Sequence, residues 1–302
     1  MWAVVVVLAV LLTVDLFGGG VLLGRHLMSH SAAPPPTAPP VPTSTGSSVP
    51  VNVNPVPDPA ASQPGSLQAE FAALEKQLGA KMGVVAVSLG GSKALARLGD
   101  WDSGPAWSTI KVPLTIAALR EEGTSQVTDP MAAAITESDN AAAESIWESL
   151  GDPAAAASKV EVVLREYGDD TTVESRKVRP EFTAFGQTMW PLTNAAQFTA
   201  GAFCDPQNSP IFDLMGKVVA GQSWGLGHIA GSRFKGGWGP SPAGNYLVRQ
   251  IGVLSTPTGQ VALAIAAEPS SGSFVDGTND LTRVANWLQQ HIAELPSGKC
   301  GT

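Results

Sequence analysis

Three short groups of residues could do chemistry. Ser108 and Lys111 stand three apart in Ser108-Thr109-Ile110-Lys111, and on a helix positions i and i+3 share a face. A serine hydroxyl is a poor nucleophile until a neighbouring base takes its proton. A lysine can be that base when burial and nearby positive charge lower its pKa. A helix beginning at Ser108 would also offer backbone N–H groups to a developing oxyanion. Ser138-Asp139-Asn140 and Lys235-Gly236-Gly237 add a second hydroxyl, a carboxamide and a second amine. Gathered in one cleft, such groups would support acyl transfer through a serine ester. Taken singly each group is commonplace; a capping serine and a surface lysine would account for the first.

Positioning these groups is the task of the elements around them. Leu67, Phe71, Leu74 and Leu78 form a helical stripe after the candidate N-cap Ser66. The run Met82–Leu89 is apolar and β-branched and reads as a buried strand, turning at Gly90-Gly91 into a second strand over residues 94–99. Residues 107–121 read as a helix kinked at Pro113, and helical stretches flank Ser138. Residues 245–256 and 260–268 read as strands joined by the turn Pro257-Thr258-Gly259, and residues 280–295 as a closing amphipathic helix. Strands at both ends with helices between them predict an α+β domain whose single sheet is assembled from distant halves.

Composition narrows the function classes. The 302 residues carry a net charge of −8 with no Lys/Arg run, which argues against nucleic acid as a partner, because affinity for phosphate backbones comes from basic clusters. The histidines His26, His30, His228 and His291 are scattered, and with two cysteines they do not make a metal set; no cofactor is implied. His228 reads as a strand-edge residue.

The N-terminal part is of another kind. Residues 1–23 are apolar apart from Asp15, long enough to span a bilayer core of roughly 30 Å. Residues 1–29 therefore read as a transmembrane anchor, with a cleavable signal segment as the alternative. Arg25 weighs toward an inside orientation of the chain beyond it. Against it stands the segment Ser31–Gly65, with eleven prolines and no aromatic residue, which cannot bury enough apolar surface to order itself. Residues 30–65 read as an extended spacer reaching about 100 Å at ~3.1 Å per residue, a tether that places the domain, residues 66–302, outside the membrane. In such a compartment Cys204 and Cys300 predict a disulfide, the other reading being two thiols.

Taken in order, Ser-x-x-Lys, Ser-Asp-Asn and Lys-Gly-Gly on helix, interhelical loop and strand form the pattern of serine β-lactamases and penicillin-binding proteins. From Leu67 to Glu294 the chain resembles that superfamily, and the class A β-lactamases most of all; ITESDNAAAESIW around Ser138 and the spacing from Arg249 to Pro257 and Gly259 add to the likeness. The resemblance implies an antiparallel sheet flanked by helices plus a helical subdomain. It makes Ser108 the nucleophile, Lys111 its proton acceptor, Ser138 a proton relay, Asn140 a positioning group and Lys235 a source of positive potential. Gly237 and Trp238 would line the substrate strand, Ser108 and Trp238 N–H groups would form the oxyanion hole, and Arg249 would bind a substrate carboxylate. Trp107 and Trp238 adjoin the motifs and read either as subsite walls or as core; Glu144 and Trp147 read as structural.

The sequence also departs from that pattern. In VESRKVRPEFT, Arg179 stands where class A enzymes carry the glutamate that activates the deacylating water, Glu174 and Glu181 are out of register, and Thr183 replaces a loop asparagine. Gly236 lacks the usual hydroxyl, and the stretch from Ser108 to Ser138 is short, predicting a reduced helical subdomain. The resemblance thus implies a membrane-tethered, extracytoplasmic serine acyl-hydrolase with slow deacylation, acting on a small-molecule β-lactam. A penicillin-binding-protein-like D,D-peptidase acting on peptidoglycan stem peptides is the second reading, and a catalytically degenerate cell-envelope binding module the third.

Overall fold

A computed structural model describes residues 64–90, 95–123 and 125–301. The predicted membrane segment and nearly all of the proline-rich spacer lie outside the described residues, and among the described ones no helix is long and apolar enough to cross a membrane. In chain order the elements are α1 (Pro64–Leu78), β1 (Ala80–Ser88), β2 (Leu95–Leu98), β3 (Ser103–Pro105), a 3₁₀ turn (Trp107–Ile110) and α2 (Lys111–Glu121). Then come α3 (Asp129–Thr136), α4 (Asn140–Ser149), α5 (Pro153–Glu166), β4 (Met189–Pro191), α6 (Leu192–Phe203) and α7 (Ser209–Met215). The chain closes with β5 (Arg233–Pro240), β6 (Tyr246–Thr256), β7 (Gly259–Pro269) and α8 (Phe274–Gln290).

Five strands form an antiparallel sheet in the order β2-β1-β7-β6-β5, so the first and last parts of the domain share one sheet as predicted. The three central strands β1, β7 and β6 are buried on both faces, which is why they read as near-continuous apolar runs. Their period of two still divides the core. Met82, Val84 and Ala86 of β1 and Val261, Leu263, Ile265 and Ala267 of β7 face α1 and α8. The alternate residues Val85, Val87, Ala262, Ala264 and Ala266 face the helical layer formed by α2 to α7. Three alanines in register on β7 let the alanine-rich α6 pack close to the sheet.

Element ends follow local chemistry. Asp139, Asp152 and Thr128 cap α4, α5 and α3 by accepting hydrogen bonds from backbone N–H groups of the first turn. Several boundaries differ from expectation. α8 starts at Phe274 because Ser273 accepts from Asp276 N, so Asp280 lies in its second turn. α1 starts at Pro64, before the predicted cap Ser66. Pro113 makes no kink: it sits in the first turn of α2, where the N–H it lacks would have had no helical partner. The break falls instead at residue 111, where the 3₁₀ turn becomes α-helix. His228 is not at a strand edge but is exposed at the end of a 3₁₀ turn, Gly225–His228.

Cys204 at the end of α6 is bonded to Cys300, 96 residues on, which fastens the tail beside the bridge between Gln260 and Gly298. In the chain-entropy model a loop of that length is stabilised by about 4–5 kcal/mol. The double variant Cys204→Ser/Cys300→Ser is expected to lose a large part of that in urea unfolding while keeping its far-UV spectrum. A midpoint unchanged from the parent would show that the bond contributes nothing to stability.

Candidate active site

The three motifs meet where the helical layer abuts the edge strand β5. Ser108 lies in the 3₁₀ turn that opens α2, and its neighbour Trp107 has a left-handed backbone with φ 48°. Ser138, between α3 and α4, has φ 58°. These are the only two non-glycine residues of positive φ among the described residues, and such strained backbones persist where surrounding structure enforces them. The Ser138-Asp139-Asn140 triplet divides its work. Asp139 turns outward to cap α4 by accepting from Ala142 N (2.7 Å). Ser138 Oγ accepts from Lys235 Nζ at 2.8 Å, and Asn140, the first residue of α4, offers Oδ1 to Lys111 Nζ at 2.8 Å.

Lys111 is fully buried and donates to three oxygens of this loop: Ser138 O (2.6 Å), Asp139 O (3.1 Å) and Asn140 Oδ1. The Ser108 hydroxyl is not among its partners. Burial pushes the Lys111 pKa down to about 7, the Asp139 carboxylate acting in the opposite sense. Lys235, also fully buried, donates to Ser138 Oγ and Gly236 O (2.9 Å). Burial, and then the neighbouring Lys111, hold its pKa well below the ordinary lysine value. Both amines thus meet Ser138, Lys235 at its hydroxyl and Lys111 at its backbone carbonyl. Neutral Lys111 would have a lone pair for the proton of Ser108.

The glycines of β5 set its distance from the nucleophile. A Cβ at Gly237 would lie 2.8 Å from Ser108 N and 2.9 Å from Thr109 N, and one at Gly239 would lie 2.5 Å from the Trp107 ring. Only glycine at both positions lets the strand reach the backbone of the turn. Gly236 points the other way, and a Cβ there would come within 3.0 Å of the Trp224 ring. The cavity of about 200 Å³ at this junction presents Ser108, Ser138, Asn140 and Thr183 as polar groups and is walled by Trp107, Phe182, Pro240, Trp238 and Tyr246. Trp107 packs edge-on to Phe182 (5.0 Å) and its buried indole N–H has no partner.

Ser108, Lys111, Ser138, Asn140, Lys235, Gly237 and Trp238 thus come together, and Trp107 and Trp238 are both walls of the cavity. Arg249 does not join them. It faces the helical layer from β6, fully buried, and its Nη1 donates to Gly104 O (3.1 Å), Pro105 O (3.2 Å) and Trp190 O (3.1 Å). Trp101 and Trp190 flank the guanidinium, and burial lowers its pKa to about 9. Its position is that of a clamp on β3 and β4, just upstream of Ser108, rather than of a carboxylate receptor. The loop after α5 is tied elsewhere: Arg179 donates to Pro240 O and to Glu181, stacks on Phe182, and Glu174 is paired with Arg176. The Arg176 side chain holds the Glu174 carboxyl below its ordinary pKa. Trp147 packs on Phe185 (5.3 Å) and Glu144 pairs with Lys177 (3.0 Å). The sequence does not point to Phe182, Pro240 or Tyr246. Tyr246 could have been reached through hairpin arithmetic, since it pairs with Pro240 across the turn; Phe182 carries no such signal.

No family model and no curated protein matches the chain. Solved structures do. A class A β-lactamase from Mycobacterium abscessus is 17% identical, with a TM-score of 0.59 over 74% of this chain and 98% of that one. The TLA-1 extended-spectrum β-lactamase is 14% identical with a TM-score of 0.63 over 77% and 100%. The ancestral GNCA class A β-lactamase is 20% identical with a TM-score of 0.58 over 74% and 99%. The chain has the β-lactamase-like fold.

Proposed function

We propose that the protein is an extracytoplasmic serine acyl-hydrolase, tethered by residues 1–29 and the proline-rich spacer, that forms an acyl-enzyme at Ser108 and clears it slowly. The observation that carries this reading is the pair of buried amines, one from α2 and one from β5, that converge on Ser138. Lys111 has a pKa near 7, and Lys235 lies 2.8 Å from the Ser138 hydroxyl. A perturbed lysine beside a serine in a cleft is the arrangement that nucleophilic catalysis requires. It also speaks against a binding module without activity, because burying two ammonium groups costs several kcal/mol each and serves no packing purpose. The Cys204–Cys300 bond supports an oxidising compartment.

In the proposed reaction Ser108 Oγ attacks the donor carbonyl while neutral Lys111 takes its proton. Backbone N–H groups of Ser108 and Trp238 stabilise the oxyanion; β5 is the edge strand, so its outward N–H groups have no sheet partner. The bond to the leaving group then breaks, and the leaving atom takes a proton relayed through Ser138. Water later attacks the Ser108 ester, releasing the acid and returning the proton to the serine. The proteins with the similar folds are named as β-lactamases, which makes β-lactams one class of acyl donor to try. Slow clearance follows from the loop: the cavity at Ser108 is lined by no carboxylate, Glu174 and Glu181 being held by Arg176 and Arg179.

A fluorescent fluorophosphonate is expected to label the wild-type chain and not Ser108→Ala; equal labelling of both would remove Ser108 from its role. With a p-nitrophenyl acyl ester, about one nitrophenolate per chain should appear in a burst, followed by a steady rate at least tenfold lower. Linear release without a burst would contradict slow deacylation. The burst rate should also follow the neutral form of Lys111, rising as pH increases through about 7 and levelling above it. Because the pKa is lowered, the active form accumulates above the midpoint, and a burst rate flat from pH 5 to 9 would exclude Lys111 as the base.

A further inference from the structure

On the face of the sheet that α1 and α8 cover, away from Ser108, one carboxylate is buried without a partner. Asp280 lies in the second turn of α8 and is 8% exposed. Among the described residues no hydrogen-bond donor reaches its side chain and no ion pair includes it. A carboxylate buried in that way is costly, because it has given up water and gained nothing in return. The one cation that acts on it among the described residues is Arg283, which is exposed. Asp276, one turn earlier on α8, acts against its charge, as like charges four residues apart on a helix do. Burial first, and then Asp276, raise the Asp280 pKa to about 6, Arg283 acting in the opposite sense.

Asp280 lines a cavity of about 220 Å³ between the end of α1 and the start of α8. What faces this cavity is mostly oxygen. Asp276, Asn279 and Asp280 are spaced to share one face of α8, and all three line it, together with Ser270 and Ser271 from the turn after β7. Asp276 Oδ2 accepts from Ser271 Oγ at 2.6 Å, which ties that carboxylate to the turn and leaves its Oδ1 without a donor. Ser270 is held against the end of α1, its backbone N–H donating to Gly79 O at 3.2 Å. Leu78, the last residue of α1, closes the cavity, and the carbonyl end of a helix adds negative potential there. Two carboxylates, an amide oxygen and two hydroxyls, with no sulfur and no imidazole, are the donor set of a hard cation. Calcium takes six to eight oxygens in flexible geometry, and the cavity leaves room for the ion to keep part of its water shell.

We propose that Asp276, Asn279 and Asp280, with the Ser270–Ser271 turn, bind a calcium ion that fastens the start of α8 to the end of α1. With only two carboxylates the affinity falls in the range of extracellular modules, about 0.1–1 mM. Equilibrium dialysis of the full chain against radiolabelled calcium, at neutral pH in potassium chloride, is expected to show one saturable ion per chain. Asp280→Asn and Asp276→Asn should each weaken binding at least tenfold, whereas Asp213→Asn, on α7, should leave it unchanged. In urea unfolding, millimolar calcium should raise the midpoint of the parent and leave that of Asp280→Asn unmoved. With the metal chelated, Asp280→Asn should be at least as stable as the parent, since it removes a buried charge that nothing balances. No saturable binding at millimolar calcium would overturn the proposal, as would binding that Asp280→Asn and Asp276→Asn retain or that Asp213→Asn loses equally. An Asp280→Asn chain less stable than the parent under chelation would show that protein groups already hold the carboxylate, and would overturn it too.

Discussion

Two lysines buried side by side are the constraint around which this domain is built. Each ammonium loses its water, and the charge of Lys111 adds to the cost at Lys235, so both are driven toward the neutral state. The fold answers with oxygens rather than carboxylates. Lys111 meets two backbone carbonyls and an amide oxygen, and Lys235 a hydroxyl and a carbonyl. Asp139 is near enough to favour the charged form of Lys111, yet its carboxylate is turned to cap α4. A carboxylate in direct contact would fix the proton on the amine and end its use as a base. Dipoles hold the amine in place and leave the proton mobile. The left-handed backbone of Ser138 is the local cost of aiming two carbonyls, a hydroxyl and an amide oxygen from three consecutive residues.

The same constraint reaches the strand. Lys235 must enter the site from β5 while the next inward residues pass against the turn that carries Ser108. Two glycines, Gly237 and Gly239, allow that approach, and Trp107 accepts a strained φ and an orphaned indole N–H to fill the space they leave. Below them Arg249 ties β3 and β4 to the sheet through three carbonyls. That places a rigid ribbon directly ahead of the nucleophile, so the position of Ser108 depends on a buried cation that never meets the substrate. The other unpaired nitrogens of Arg249 are a further sign that its side chain is held by the aromatic rings of Trp101 and Trp190 as much as by hydrogen bonds.

What the amino-acid sequence reveals depends on whether the information is local. The apolar run of β1, the helical stripe of α1 and the turn before β7 are legible because neighbouring residues decide them. The motif residues are legible because their order is distinctive. Arg249 is misjudged from sequence for a physical reason: on a strand buried on both faces, hydrophobic period no longer tells which side chain faces a cleft and which the core. Only the register opposite Gly237 and the placing of β3 and β4 decide it. The start of α8 is hidden by the polar residues of its first turn, where Ser273 and not hydrophobicity sets the boundary. Phe182 and Tyr246 come from a loop and a hairpin whose paths are tertiary facts.

The uncharged cavity and the missing loop carboxylate have one origin. The segment from Glu174 to Gln187 pairs both of its carboxylates within itself, Glu174 with Arg176 and Glu181 with Arg179, while Lys177 reaches out to Glu144. Arg179 then crosses to Pro240 at the end of β5, and Phe182 turns its ring toward Trp107. A loop stitched in this way presents rings, and not a base, to the Ser108 cavity. Water that enters finds no carboxylate to draw off its proton. Lys111, neutral again once its proton has passed through Ser138 to the leaving group, is then the one base left beside the ester, and it is fastened to the Ser138 loop. The site is therefore well equipped for the first half of an acyl transfer and poorly equipped for the second, and the ring that replaces the charge is what makes both true.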